Sequence, residues 1–160
     1  MPSMRLIGFY IGMWILGASA YAGESREEAL RIIEVQHLEI WSRGRLDLIP
    51  EVYSPDFVGH FPGGTVHGHQ GVSQRVASHR RAFPDWEEAI VDVVIENDKV
   101  VTRFQSSGTN LGPFLGQPPT GNVVEISEAA IFLLRDGRIA EQWVFPDMRA
   151  MQQQLSRGRK

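Results

Sequence analysis

The hydrophobic periodicity of the chain changes near Pro84. Before this residue, apolar side chains recur every three to four positions, as in amphipathic helices. After it they alternate with polar ones, as in half-buried strands. The alternating segments are joined by Asn97-Asp98 and Asp136-Gly137, which are typical hairpin turns. Helices followed by an antiparallel meander indicate an α+β fold in one domain.

Cap and turn residues set the expected boundaries of these elements. Ser25 with Glu28 three positions later forms a capping box, and Gly44 ends the helix that begins there. We expect helices over residues 26–43, 46–52, 70–82 and 148–155, and strands over 57–61, 88–96, 99–109, 123–135 and 138–145. Strict alternation in the second strand predicts that one face carries Ala89, Val91, Val93 and Ile95.

Residues 1–22 differ from the rest of the chain. A single Arg5 precedes an uncharged apolar run, and the segment ends in the small-x-small sequence Ala20-Tyr21-Ala22. This pattern predicts a secretory signal peptide, with a retained membrane anchor as the alternative. We therefore expect an exported protein, periplasmic or secreted, whose single domain spans residues 23–160 and, once the signal is removed, is not stably inserted in a membrane.

Charge and cysteine content exclude several classes of function. The net charge of −3 gives no basic surface for nucleic acid. The absence of cysteine excludes disulfides, thiol nucleophiles and cysteine-zinc sites. Any chemistry must come from the other polar and aromatic groups.

Glu128 is the first candidate for a catalytic residue. It shares a strand face with Val124, Ile126, Ala130 and Phe132. Burial among apolar neighbours raises the pKa of a carboxyl group, which suits general acid or base work near neutral pH. An edge-strand charge that stays in water is the alternative.

Three histidines surround the Pro62-Gly63-Gly64 turn. His67 and His69 flank a glycine, but this spacing is common and no acidic ligand lies near it, so we expect no metal site. His60 ends an apolar strand and is a candidate for a site role or a structural one.

Further candidates lie on the strands and the first helix. Arg103 fits either a buried guanidinium that orients a substrate or an exposed cross-strand ion pair. Asp147 follows the last strand and fits either a cavity mouth or a helix cap. Trp143 on that strand and Trp41 on the apolar face of the first helix are candidate substrate contacts.

The chain resembles a known family through three elements that occur in one order. These are Ala-Phe-Pro-Asp at 82–85, a Gly- and Pro-rich stretch ending in Pro-Pro-Thr-Gly at 108–121, and Asp-Gly-x-Ile-x-Glu-x-Trp at 136–143. Together they resemble the SnoaL-like polyketide cyclases, also called predicted ester cyclases, over residues 26–155. The resemblance implies a cone-shaped α+β barrel shared with nuclear transport factor 2, ketosteroid isomerase and limonene epoxide hydrolase. In it, three N-terminal helices pack on a curved antiparallel sheet around an apolar pocket.

The resemblance also implies a chemistry and a set of site residues. Characterised family members close a ring by intramolecular aldol attack, with an acidic residue as general acid/base and without metal or cofactor. His60, Arg103, Trp143 and Asp147 match recurrent family positions. Asn110 stands where the family commonly has histidine, so that it hydrogen-bonds but carries no proton.

These observations together predict a function. We expect a cofactor-independent cyclase or isomerase that acts on a small apolar carbonyl compound. Glu128 or Asp147 would move the proton, while Asn110 and His60 bind the carbonyl oxygen. The alternative is a non-catalytic pocket for a hydrophobic small molecule. Homodimers or larger homo-oligomers formed through the outer sheet face are compatible with either.

Overall fold

The computed structural model of the protein describes residues 25–157. The predicted signal peptide at 1–22 and the last three residues lie outside the described part. Within residues 25–157, no helix is long and apolar enough to cross a membrane. This part contains four helices and six strands.

The helices lie close to the predicted ranges. Ser25 Oγ accepts a hydrogen bond from the Glu28 backbone N–H at 3.1 Å, which confirms the predicted cap. From this cap, α1 continues into a wider π-helical segment, and the chain turns at Gly44 with φ of +71°. The ranges are α1 (Arg26–Glu34), the π-helical segment (Val35–Trp41), a 3-10 turn (Leu46–Leu48), α2 (Ile49–Val52), α3 (Gly68–Ala82) and α4 (Met148–Leu155).

Six strands form one curved, open sheet. They are β1 (Tyr53–Phe61), β2 (Gly64–His67), β3 (Glu87–Glu96), β4 (Lys99–Thr109), β5 (Val123–Arg135) and β6 (Arg138–Pro146), in the order β2-β1-β6-β5-β4-β3. Neighbouring strands are antiparallel except β1 and β6, which run parallel. These two strands are far apart in sequence, so no hairpin sets their relative direction.

A bulge in β3 changes which residues face inward. Its pairing with β4 shifts between Ile90 and Asp92, so the alternation changes phase there. Ala89 and Val91 are therefore exposed, and Glu88 is buried. The prediction of one uniform apolar face along this strand is wrong for its first half. Sequence alternation alone does not reveal the additional residue.

The core lies between the helices and one face of the sheet. The largest fully buried side chains include Tyr53, Phe57 and Phe132. A smaller apolar cluster forms where the end of α3 and α4 meet β5, around Phe83, Trp86 and Met151. The candidate site is a cavity lined by residues of both clusters.

Candidate active site

A cavity opens between the helices and the inner sheet face. Its volume is about 60 Å³. One water molecule needs about 10–15 Å³ by this measure, so the cavity has room for several waters or a small organic molecule. Its lining residues are Gln36, Trp41, Phe61, Pro62, Arg75, His79, Trp86, Glu88, Phe104, Phe114, Leu115, Ile126, Glu128, Gln142, Val144, Pro146, Met148 and Met151.

Glu128 lies on β5 with its side chain directed into this cavity. It is 9% exposed, and its Oε1 atom is buried without a hydrogen-bond partner. Burial, together with the negative charge of Glu88, raises the pKa of Glu128 from 4.5 to about 8; the Ser106 hydroxyl offsets part of this shift. The carboxyl group is therefore mostly protonated at neutral pH, as expected for a general acid or base.

Glu88 is the second carboxylate of the cavity, and a hydrogen-bond network holds it in place. One oxygen lies 2.6 Å from His37 Nδ1, and the other accepts a hydrogen bond from Trp86 Nε1 at 3.1 Å. His37 Nε2 lies 3.2 Å from the hydroxyl of Thr102, so both ring nitrogens have partners. This buried arrangement keeps a negative charge near Glu128, where it favours the protonated form.

Sequence reasoning missed His37 and Glu88. His37 recurs at four-residue spacing with Ala29, Ile33 and Trp41 on an apolar helix face. A polar residue at such a position could have indicated a buried polar group. Glu88 was assigned to the opposite face because the bulge in β3 is invisible in the sequence.

Unpaired polar atoms are concentrated at the cavity. Within residues 25–157, five buried side-chain nitrogen or oxygen atoms have no hydrogen-bond partner. Four of them belong to cavity residues, and a ligand with polar groups would satisfy atoms of this kind. They are Gln36 Oε1, His79 Nε2, Glu128 Oε1 and Gln142 Oε1.

The structure brings Trp41 to the cavity but places His60 and Trp143 on the other face of the sheet. Trp41 lines the cavity and donates a hydrogen bond from Nε1 to the Tyr53 hydroxyl at 3.2 Å. The rings of His60 and Trp143 stack with centroids 5.3 Å apart, and His60 Nε2 lies 2.8 Å from a Glu141 oxygen. Their neighbours along the strands, including Phe61, face the cavity instead, because side chains alternate.

Asp147 and Arg103 also lie outside the cavity lining. Asp147 is exposed and caps α4, where its side chain accepts a hydrogen bond from the Ala150 backbone N–H at 2.8 Å. Arg103 is exposed, and its Nε donates to Asp92 on the neighbouring strand at 2.7 Å. The sequence left two roles open for each of these residues. In the structure, Asp147 is a helix cap and Arg103 forms a surface ion pair.

Asn110 is buried, but its side chain forms hydrogen bonds within a loop and does not line the cavity. Its side-chain oxygen accepts hydrogen bonds from the backbone N–H of Thr120 at 2.8 Å and from the Thr120 hydroxyl at 3.1 Å. Its amide nitrogen donates to the Gly112 carbonyl at 2.8 Å. These bonds join the two ends of the loop at 110–122, which carries Phe114 and Leu115 into the cavity wall.

His67 and His69 lie at the start of α3. His69 Nε2 lies 2.8 Å from the Tyr53 carbonyl oxygen, and His67 is the residue before the first turn of α3. In the described part of the chain, no group of three or more His, Asp or Glu residues is placed to hold a metal ion.

Comparison with solved structures finds similar folds in several bacteria. A protein of Jannaschia sp. CCS1, provisionally named a SnoaL-like polyketide cyclase, is 28% identical with a TM-score of 0.77, over 84% of this chain and 99% of that one. TsrD from Streptomyces laurentii is 26% identical with a TM-score of 0.76, over 82% and 97%. IdmH from Streptomyces antibioticus, provisionally named a polyketide cyclase, is 31% identical with a TM-score of 0.69, over 81% and 99%.

Comparison with curated proteins finds no match. The family model for SnoaL-like polyketide cyclases matches residues 32–155, which include the cavity and the three sequence elements noted above. The chain therefore belongs to the SnoaL-like polyketide cyclase family and has its nuclear-transport-factor-2-like fold.

Proposed function

We propose that the protein is a cofactor-independent cyclase or isomerase that moves a proton next to a carbonyl group of a small, largely apolar compound. The observation that carries this proposal is Glu128, a buried carboxyl group with a pKa of about 8 and an unpaired oxygen in a cavity. The names of the similar proteins IdmH and the Jannaschia protein support a polyketide-like compound with several carbonyl groups.

The proposed reaction needs no atoms beyond those of the substrate, because ionised Glu128 only takes one proton from the substrate and later returns it. The ionised carboxylate takes a proton from the carbon beside a carbonyl and leaves an enolate. The enolate carbon then bonds to a second carbonyl carbon of the same molecule, which closes the ring. The resulting alkoxide takes the proton back from Glu128, so that the product is an isomer of the substrate.

Glu88 and the side-chain amides of the cavity have supporting roles in this proposal. The negative charge of Glu88 raises the proton affinity of Glu128 and so makes its ionised form a stronger base. Gln36 and Gln142 line the cavity with unpaired amide oxygens, and rotation of either amide would turn an N–H toward the developing enolate oxygen. These residues take the oxygen-binding role that the sequence assigned to Asn110 and His60, because the structure places those two elsewhere.

Heptane-2,6-dione in D₂O tests the proposal, since it is small and can close a six-membered ring by aldol attack. NMR follows both deuterium uptake beside the carbonyls and formation of the cyclic hydroxyketone. We expect the wild type to accelerate one or both, and Glu128→Gln to lose about 10²-fold or more of that rate. Glu125→Gln is the matched control, because this glutamate is exposed on the opposite face of β5.

The pH profile supplies a second readout of the same test. If ionised Glu128 is the base, kcat/KM rises with pH through about 8, the pKa of this group. A Glu128→Gln variant with the wild-type rate would contradict the assignment. Binding of the dione without either reaction would favour the non-catalytic binding protein.

A further inference from the structure

Arg75 places a positive charge at the cavity wall. It lies on α3, is half-buried, and donates a hydrogen bond from one terminal nitrogen to the Pro62 carbonyl at 3.1 Å. Its guanidinium carbon lies 5.1 Å from the centre of the Phe61 ring. Burial lowers the pKa of Arg75, but an arginine stays charged in proteins. A charge is therefore held against the apolar lining of the cavity.

This charge has no carboxylate partner in residues 25–157. Neither Glu88 nor Glu128, the two carboxyl groups that line the same cavity, lies within 4.0 Å of it. Exposed arginines elsewhere do have such partners, as in the pairs of Arg31 with Glu28 and Arg135 with Asp56. A guanidinium carries five N–H donors, and the Pro62 carbonyl uses one of them. The remaining donors are suited to an anion supplied by a ligand.

His79 adds a second unpaired polar group one helical turn further along α3. Residues four positions apart lie on the same helix face, and both side chains line the cavity. His79 Nε2 is buried without a hydrogen-bond partner. Burial, with the nearby positive charges of Arg75 and Arg80, lowers the pKa of His79 to about 3. The ring is therefore neutral, and in the tautomer with its proton on Nε2 this buried nitrogen would donate a hydrogen bond to an anion.

We propose that the cavity recognises a substrate carrying a carboxylate group, which pairs with Arg75 while the carbonyl end of the molecule reaches Glu128. Arg75 is thus a specificity-determining residue, and the substrate class is a keto acid rather than a neutral ketone. The assignment of the reacting end rests on the proposed function. The recognition of the carboxylate rests on Arg75, His79 and the apolar wall, where weak hydration strengthens a charge-assisted hydrogen bond.

Three probes that share the 5-oxohexanoyl skeleton and differ only in the group on its terminal carbonyl carbon test the proposal. They are 5-oxohexanoate, its neutral methyl ester and heptane-2,6-dione, in which an acetyl group replaces the carboxylate. Binding to the full chain is measured by tryptophan fluorescence, since Trp41 and Trp86 line the cavity. We expect the wild type to bind the acid at least about tenfold more tightly than the ester or the dione. Arg75→Gln should abolish this preference and leave ester binding within about twofold.

Two further variants separate recognition from folding. Arg75→Lys keeps the charge but loses the planar fork, so we expect it to retain a reduced preference for the acid. Arg31→Gln removes an exposed arginine that does not line the cavity and should behave as wild type. Thermal unfolding monitors the fold of each variant. An equal preference for the acid in wild type and both Arg75 variants would overturn the proposal, as would a wild type with no preference.

The outcome of this binding experiment is independent of the test of catalysis, because binding requires no turnover. A preference for the acid that depends on Arg75, together with no proton transfer by Glu128, would support carboxylate recognition and contradict the proposed function. If Glu128→Gln abolishes proton transfer from the dione and the wild type shows no preference for the acid, the result would support the proposed function and contradict carboxylate recognition.

Discussion

Glu128 stands between Ile126 and Ala130 on the buried face of β5, a strand whose other inward residues are apolar. Its position was predictable, since alternation in β5 is regular and places it on the apolar face. The size of its pKa shift was not predictable, because it depends on how deeply the carboxyl group is buried and on a charge that comes from a different strand. Glu88 supplies that charge from β3. A titration property of this residue therefore depends on packing between distant segments.

The raised pKa of Glu128 predicts how stability depends on pH. The unfolded chain ionises this group above about 4.5, whereas the folded protein keeps the proton up to about 8. The wild type therefore loses stability as the pH rises through this interval, on the order of 3 kcal/mol between pH 4.5 and pH 7 at about 1.4 kcal/mol per pKa unit. Glu128→Gln lacks this loss. Urea unfolding at several pH values should show a flatter dependence for the variant and greater stability at pH 7.

Glu125→Gln again provides the comparison, since Glu125 is exposed on the opposite face of the same strand. Parallel pH profiles for wild type and Glu128→Gln would show that the fold does not disfavour the charged carboxylate.

At the scale of an element, the loop at 110–122 gives Asn110 a different role from the one predicted for it. Asn110 lies at its start, and its side chain bonds to Thr120 and Gly112. The loop folds back so that Phe114 and Leu115 reach the cavity wall. The sequence showed a stretch rich in glycine and proline at 108–121, but it did not show that Asn110 bonds within the loop.

Replacing this asparagine tests whether its role is structural. Asn110→Ala leaves the partner groups of Thr120 and Gly112 unpaired, so we expect a loss of about 2–4 kcal/mol in the free energy of unfolding. Urea denaturation measures this loss, and Gln153→Ala on the exposed side of α4 is the control. Unchanged stability with loss of reactivity toward heptane-2,6-dione would instead restore the site role that the sequence assigned to Asn110.

At the scale of the whole molecule, the described helices and the sheet form one unit over residues 25–157. The predicted signal peptide precedes this unit, and every contact described above lies within residues 25–157. Export to the periplasm or beyond stays a prediction. Formation of homo-oligomers through the outer sheet face, where Val94 and Phe145 are more than half exposed, also stays a prediction.

The export prediction has a direct test. Small residues at Ala20 and Ala22 are suited to signal cleavage after Ala22, so we expect the intact mass of the protein from its native host to correspond to residues 23–160. A mass that includes residues 1–22 would indicate a retained segment.

The sequence by itself determined the α+β class, most element boundaries and the family, and it placed Glu128 on the apolar face of its strand while leaving open whether this residue is buried. Each of these depends on local periodicity, turn residues or short motifs, which a single chain displays directly. Tertiary structure decided which polar residues meet. The bulge in β3 brought Glu88 into the cavity, and strand alternation turned His60 and Trp143 away from it. Such contacts join residues many positions apart, including the 51 between His37 and Glu88, so only the folded chain specifies them.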